Sequence, residues 1–159
     1  MRYVSETGGF AESNIIFSAN NLEFYAHELT HIYAQKRFPT IPRLLDEGFA
    51  MLVGGSGVFD YKFHRENVIK YLEESSDVNF SNYTEPYERL YIYEETSMPY
   101  MVGALLCELI LKDYGKEKLF ELFDSDEDLW VNLNKIGITK ENLDYKLKFV
   151  LKNDAQQPI

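Results

Sequence analysis

Two of the chain's three histidines stand four residues apart, with a glutamate directly after the first: His27, Glu28 and His31 in the run YAHELTHIYAQ. On an α-helix that spacing leaves the two imidazoles about 40° apart in direction and about 6 Å apart along the axis, so both project from one face and can share one ion. Glu28 lies about 100° round from His27, close enough to reach a water on such an ion yet badly placed to ligate it. Two imidazoles with a non-ligating carboxylate beside them suit a catalytic zinc, with the carboxylate as general base.

Catalytic zinc takes three protein ligands and keeps a fourth position open, so the sequence must supply one more. Glu47, in PTIPRLLDEGFAML, is the expected third ligand. It falls in the middle of the next helix, beyond a turn short enough to bring the two helices antiparallel, and Gly48 beside it permits close approach. The competing residues are Asp46, which points about 100° away from Glu47, and His64, which lies beyond a loop. Nothing around His64 has ligand spacing, and it reads as a surface or capping histidine. The histidines also need outer hydrogen-bond partners. Asp46, Asp77 and Glu95 are candidates that spacing does not rank.

The elements that must position these residues are mostly helical. Strand-like material occurs only at the front, in RYVSE and in GGFAESNIIFS, and suggests a small hairpin or sheet edge ending at Phe17. Ser18, Asn20 and Asn21 offer caps for a helix over 22–37, in which Tyr25, Leu29, Ile32 and Lys36 fall at helical spacing. Pro39 and Pro42 end that helix and start another over 42–53, since proline fits a first turn but not an interior. GGSG stops the second helix as a flexible loop. Further helices are expected over 62–74, 98–114 with Gly115 as C-cap, 116–123, 125–135 and 140–152, the last capped by Thr139. Between them, residues 75–97 read as a long irregular connection rich in tyrosine. The expected class is α+β with helix dominant.

Composition narrows the function. At 159 residues the chain fits one domain, 1–159, and can bury a sizeable core without a disulfide or metal to hold it. A net charge of −10, with no basic cluster beyond Lys36 and Arg37, argues against nucleic acid as a partner. The single cysteine, Cys107, sits in the apolar run VGALLCELIL and reads as a small core residue rather than a nucleophile. No apolar stretch is long enough for a signal peptide or a membrane span, which leaves a soluble, by default cytoplasmic, chain unless it is cut from a larger secreted protein.

HELTH followed by LLDEGFA resembles the gluzincin metallopeptidases, most closely the aminopeptidase N type, whose zinc site is HExxH plus a glutamate in a W-L-N-E-G-F-A helix. The resemblance implies zinc ligation by His27, His31 and Glu47 and a catalytic base at Glu28. Leu44 replaces the family's tryptophan and Asp46 its asparagine, and the gap from His31 to Glu47 is a few residues shorter than in full-length aminopeptidases. That shortening points to the broader peptidase-MA-like group of small bacterial relatives.

Two further segments match. SMPYMVGALLCEL is similar to the family's S-V-P-Y-x-K-G-x-x-L-L-x-x-L, which implies that Tyr100 steadies the oxyanion. GGFAES stands where these enzymes carry G-x-M-E-N, the edge strand that binds substrate. By that likeness Gly9 and Glu12 bind substrate, Glu12 at its free amine, although Ala11 and Ser13 depart from the pattern. The resemblance covers about 8–115 and implies a mostly helical zincin-like catalytic domain acting on peptide or protein substrates, as endopeptidase or aminopeptidase. The alternative is a zinc-binding helical domain without catalysis, serving as a binding or regulatory module, because only 26 residues precede His27.

Overall fold

The computed structural model describes residues 9–12, 15–18 and 26–153. In chain order these form β1 (Gly9–Glu12), β2 (Ile15–Ser18), α1 (Ala26–Arg37), α2 (Arg43–Gly54) and α3 (Tyr61–Glu74). A 3-10 turn (Phe80–Tyr83) follows, then β3 (Tyr91–Ile92), β4 (Thr96–Ser97), α4 (Met98–Phe123), α5 (Leu129–Lys135) and α6 (Lys140–Asn153). The class is α+β with helix dominant, as expected. RYVSE, Asn20, Asn21 and the residues expected to begin the first helix before Ala26 lie outside the described residues.

β1 and β2 form an antiparallel pair in which Gly9 faces Ser18 and Glu12 faces Ile15. The pair is the amino-terminal hairpin expected from the sequence, and β1 lies against α1. Pro39 closes α1 at Arg37, and Pro42, extended at φ −60° and ψ 133°, opens α2 by offering its carbonyl to the amides of Leu45 and Asp46. With only five residues between the two helices, they return antiparallel. The carboxyl end of α2 then meets the amino end of α1, where Gly54 lies against the backbone of Ala26 and His27.

On its other side α2 packs on α4, and here the two backbones touch. A Cβ placed on Gly48 would lie 2.1 Å from the carbonyl carbon of Gly103, and one on Gly103 would lie 2.3 Å from the Leu44 carbonyl oxygen. Squeezed between two helices, α2 buries Leu44, Leu45, Asp46, Glu47, Gly48, Ala50 and Met51. The core continues along α4 through Met101, Leu105, Leu106 and Ile110 to Leu143 and Leu147 of α6. Cys107 belongs to it, fully buried, with burial pushing its thiol up. No helix among the described residues is long and apolar enough to cross a membrane.

The structure departs from the sequence expectations at three places. Residues 75–97 are not irregular throughout, because they contain the 3-10 turn and a hairpin, β3 pairing antiparallel with β4. That hairpin turns through Tyr93 and Glu94, both at positive φ, which carries no glycine signature in sequence. Helix α5 starts at Leu129 rather than 125, since the Asp128 carboxylate caps the amides of Trp130 and Val131. GGSG is a closed turn: the Gly55 amide donates to the Met51 carbonyl, and Ser56 pairs with Phe59.

Gly48→Ala should cost about 3 kcal/mol of stability, because the added methyl meets backbone that no rotamer change can move away. Urea denaturation of the metal-free protein measures this. A loss below about 1 kcal/mol, the low end for overpacking, would mean that α2 and α4 do not pass this closely.

Candidate metal centre

α1 and α2 present the expected residues to one another. His27 and His31 lie one turn apart on α1, and Glu47 reaches them from α2; His31 and Glu47 are buried, while His27 is half-buried. His27 Nε2 and His31 Nε2 each lie 3.3 Å from the same oxygen, Glu47 Oε2. One ligand atom from each of the three residues falls within 4.8 Å of the others.

The outer contacts fix which nitrogens face the centre. His27 Nδ1 is 2.7 Å from the Gly55 carbonyl oxygen. A carbonyl only accepts, so Nδ1 carries a hydrogen, and Nε2 is the nitrogen that faces Glu47. His31 Nδ1 lies 2.9 Å from Asp46 Oδ1, at ion-pair distance without the alignment of a hydrogen bond. The other Asp46 oxygen accepts from the Gln35 amide at 2.8 Å. The Arg43 guanidinium pairs with Glu47 Oε1, comes within 3.8 Å of Asp46, and sits over the Tyr87 ring.

This geometry tests whether the residues fit a cation. With both hydrogens on Nδ1, the two imidazole nitrogens 3.3 Å from one carboxylate oxygen would turn electron pairs toward it, which is repulsive unless positive charge lies among them. A tetrahedral zinc with bonds of about 2.0–2.1 Å separates its ligand atoms by about 3.3–3.4 Å. Two of the three edges match that spacing. Without a metal, the charge is supplied by a proton: burial lowers the His31 pKa, but Asp46 and Glu47 outweigh it and push the imidazole up to about 9. Burial alone would raise Glu47, yet contact with His27 and His31 and the charge of Arg43 hold it well below the usual carboxylate range. The three residues can hold a divalent cation, and the outer contacts are those that orient metal-bound histidine.

Tyr100, in the first turn of α4, joins the centre. Its ring stacks on that of His27, with centroids 5.9 Å apart and planes 16° apart. Burial and the Glu47 charge push its phenol up, so it stays protonated. Glu28 is half-buried in the first turn of α1 and stands outside the three-ligand cluster, as its direction from His27 requires. Gly9 and Glu12 are the two ends of β1, beside α1, and the Glu12 side chain lies outside what the structure describes.

The competing residues separate cleanly. Asp46 stands outside the group of His27, His31 and Glu47 and faces the outer nitrogen of His31. Asp77 and Glu95 are exposed, and Asp77 pairs with Ser76. His64 is neither a surface residue nor a ligand: it is fully buried, with Nδ1 3.0 Å from the Thr96 hydroxyl. The sequence reading missed that histidine's burial, the Gly55 carbonyl and Arg43. Arg43 was legible in principle, since positions i+3 and i+4 from it on the helix are Asp46 and Glu47. A backbone carbonyl leaves no such signal.

No protein-family model matches the chain, and no solved structure does. An uncharacterized protein of Treponema pallidum (strain Nichols) is 29% identical over 129 residues. The match takes in 80% of this chain and 12% of that protein, so the chain spans about an eighth of the relative's length.

Proposed function

We propose that the chain is a zinc-dependent peptide hydrolase of the gluzincin type, with His27, His31 and Glu47 as ligands, Glu28 as general base and Tyr100 as oxyanion donor. The observation that carries this reading is the convergence of both histidine Nε2 atoms on one Glu47 oxygen at 3.3 Å. Zinc bound there supplies Lewis-acid chemistry, polarising a carbonyl and making water acidic enough to give up a proton near neutral pH. Two imidazoles and one carboxylate are a donor set typical of catalytic zinc.

Each protein group then has a task that its surroundings favour. Glu28 lies beside the ligands without being one, so its carboxylate is free to take the proton of the attacking water and deliver it to the leaving amine. Tyr100 keeps its hydroxyl proton and donates it as a hydrogen bond where negative charge develops on the former carbonyl oxygen. The stack of its ring on His27 supports that role. β1 is paired with β2 and lies along α1, which supports binding of an extended peptide beside the strand, with Gly9 along its backbone and Glu12 near its amine.

Three expected outcomes test the proposal. The purified chain should carry close to one zinc by elemental analysis, and Glu28→Gln should keep that zinc while abolishing cleavage of a broad peptide library. Tyr100→Phe should also keep the zinc and lower kcat by about 10²–10³-fold, with KM little changed, the loss typical of one oxyanion donor. Asp46→Asn should weaken zinc binding by about 10–100-fold in competition with a chromogenic chelator, because His31 loses its charged outer partner. A wild-type chain that takes up no zinc from micromolar supply sinks the reading. Zinc uptake without any chelator-sensitive hydrolysis favours the non-catalytic zinc module instead.

A further inference from the structure

His64 lies outside the three-ligand cluster, yet both of its nitrogens reach backbone or side chains that adjoin it. The residue is fully buried on α3. Its Nε2 is 3.3 Å from the Ser56 carbonyl oxygen, which can only accept, so Nε2 carries the hydrogen. Its Nδ1, 3.0 Å from Thr96 Oγ1, then accepts the threonine hydroxyl hydrogen. The same Thr96 oxygen accepts from the Asn67 amide at 2.9 Å. The chain of donors is complete from Asn67 through Thr96 and His64 to Ser56. Burial lowers the His64 pKa, in keeping with a neutral ring in this chain.

Ser56 follows Gly55, and their two carbonyls serve two histidines: Gly55 holds His27 Nδ1, and Ser56 holds His64 Nε2. The turn that carries them is flanked by Gly55 at φ 68° and Gly57 at φ 60°. Glycine populates positive and negative φ about equally, so the intervening peptides are held by their hydrogen bonds rather than by backbone preference. The Ser56 amide to the Phe59 carbonyl at 2.9 Å and the Phe59 amide to the Ser56 carbonyl at 3.2 Å hold it from one side. The Gly55 amide is held by the Met51 carbonyl, and the side chain of His64 adds a contact at the Ser56 carbonyl. Thr96, at the far end of the chain of donors, directly precedes Ser97 and the first turn of α4, where Tyr100 stands.

We propose that His64 is a positioning residue of the metal centre: by locking the glycine-flanked turn at Ser56, it keeps the Gly55 carbonyl on His27 Nδ1 and so keeps His27 Nε2 free to ligate. The inference rests on the zinc reading of His27, His31 and Glu47 for its functional meaning. Its structural half, the fixed His27 tautomer, stands without metal.

Asparagine and glutamine separate the two contacts. In His64→Gln the side-chain amide would reach the place of Nε2 and keep a donor on Ser56; in His64→Asn the shorter amide would reach only the place of Nδ1. Both variants are compared with wild type at a temperature where far-ultraviolet circular dichroism shows all three folded. His64→Asn should bind zinc about tenfold more weakly in chelator competition and His64→Gln within about twofold of wild type, as for loss or retention of an outer partner. In the zinc-free protein, long-range nitrogen-15 spectra should show His27 as a single Nδ1–H tautomer in wild type and His64→Gln, and as a mixture in His64→Asn. Equal zinc affinity and an unchanged His27 tautomer in His64→Asn would overturn the proposal, as would equal losses in both variants. If wild type binds no zinc, the metal reading fails by itself, and the tautomer comparison still decides whether His64 positions His27.

Discussion

The passage of α2 between α1 and α4 at backbone distance is the constraint on which the centre depends. Helix axes usually stand about 8–10 Å apart, held off by side chains. At Gly48 and Gly103 no side chain intervenes on either helix, and at Gly54 the turn of α2 closes onto the start of α1. Glu47 directly precedes Gly48, and Tyr100 stands one turn before Gly103. The same contact therefore sets the depth at which Glu47 reaches the two histidines and the distance at which the Tyr100 phenol faces it. Contacts of 3.3 Å to both histidines leave little tolerance. A shift of α2 by the width of a methyl group would take Glu47 out of reach of one imidazole before it unfolded anything.

A chain of net charge −10 buries two adjacent carboxylates here, Asp46 and Glu47, each 2% exposed. Buried charges cost several kcal/mol each unless paired and hydrogen-bonded, and neighbouring like charges add to that cost. The structure divides them between different partners. Asp46 faces Gln35 and one nitrogen of His31, and it lies in the first turn of α2, where the helix dipole favours an anion. Glu47 turns one oxygen to Arg43 and the other to the two histidines. Arg43 thus leaves Glu47 a single oxygen for the centre, and its place over Tyr87 holds the guanidinium at the rim rather than among the ligands.

Most of the centre was legible because it is built from side chains at helical spacing on two consecutive helices. His27 and His31 needed only the four-residue interval, and Glu47 needed only the proline turn that brings α2 back along α1. The helices of the second half were likewise readable from their apolar periods and from Gly115, where the backbone of α4 breaks at φ 83°. What escaped were contacts made by backbone or fixed by packing. The Gly55 carbonyl has no letter of its own, and a glycine-rich stretch gives no sign of whether its turn is open or bridged. His64 looked like a surface residue because its partners, Ser56 and Thr96, are eight and thirty-two residues away. The β3–β4 hairpin was hidden for a related reason, since Tyr93 and Glu94 adopt positive φ that their residue types do not advertise.

A cluster of two histidines and two carboxylates could in principle serve stability alone, and its energetics argue otherwise. Replacing a buried ion pair with apolar side chains is often neutral or stabilising, so such a group is a poor way to join helices. α2 has no need of it: glycine contacts seat it on both neighbours, and Leu44, Leu45, Ala50 and Met51 bury its apolar face. The polar cluster brings one carboxylate oxygen within 3.3 Å of two imidazoles, while the other histidine nitrogens face outward, to Gly55 and Asp46. Three electron-rich groups brought this close need positive charge among them. A proton on His31 supplies that charge, and a divalent cation would supply it to His27, His31 and Glu47 at once.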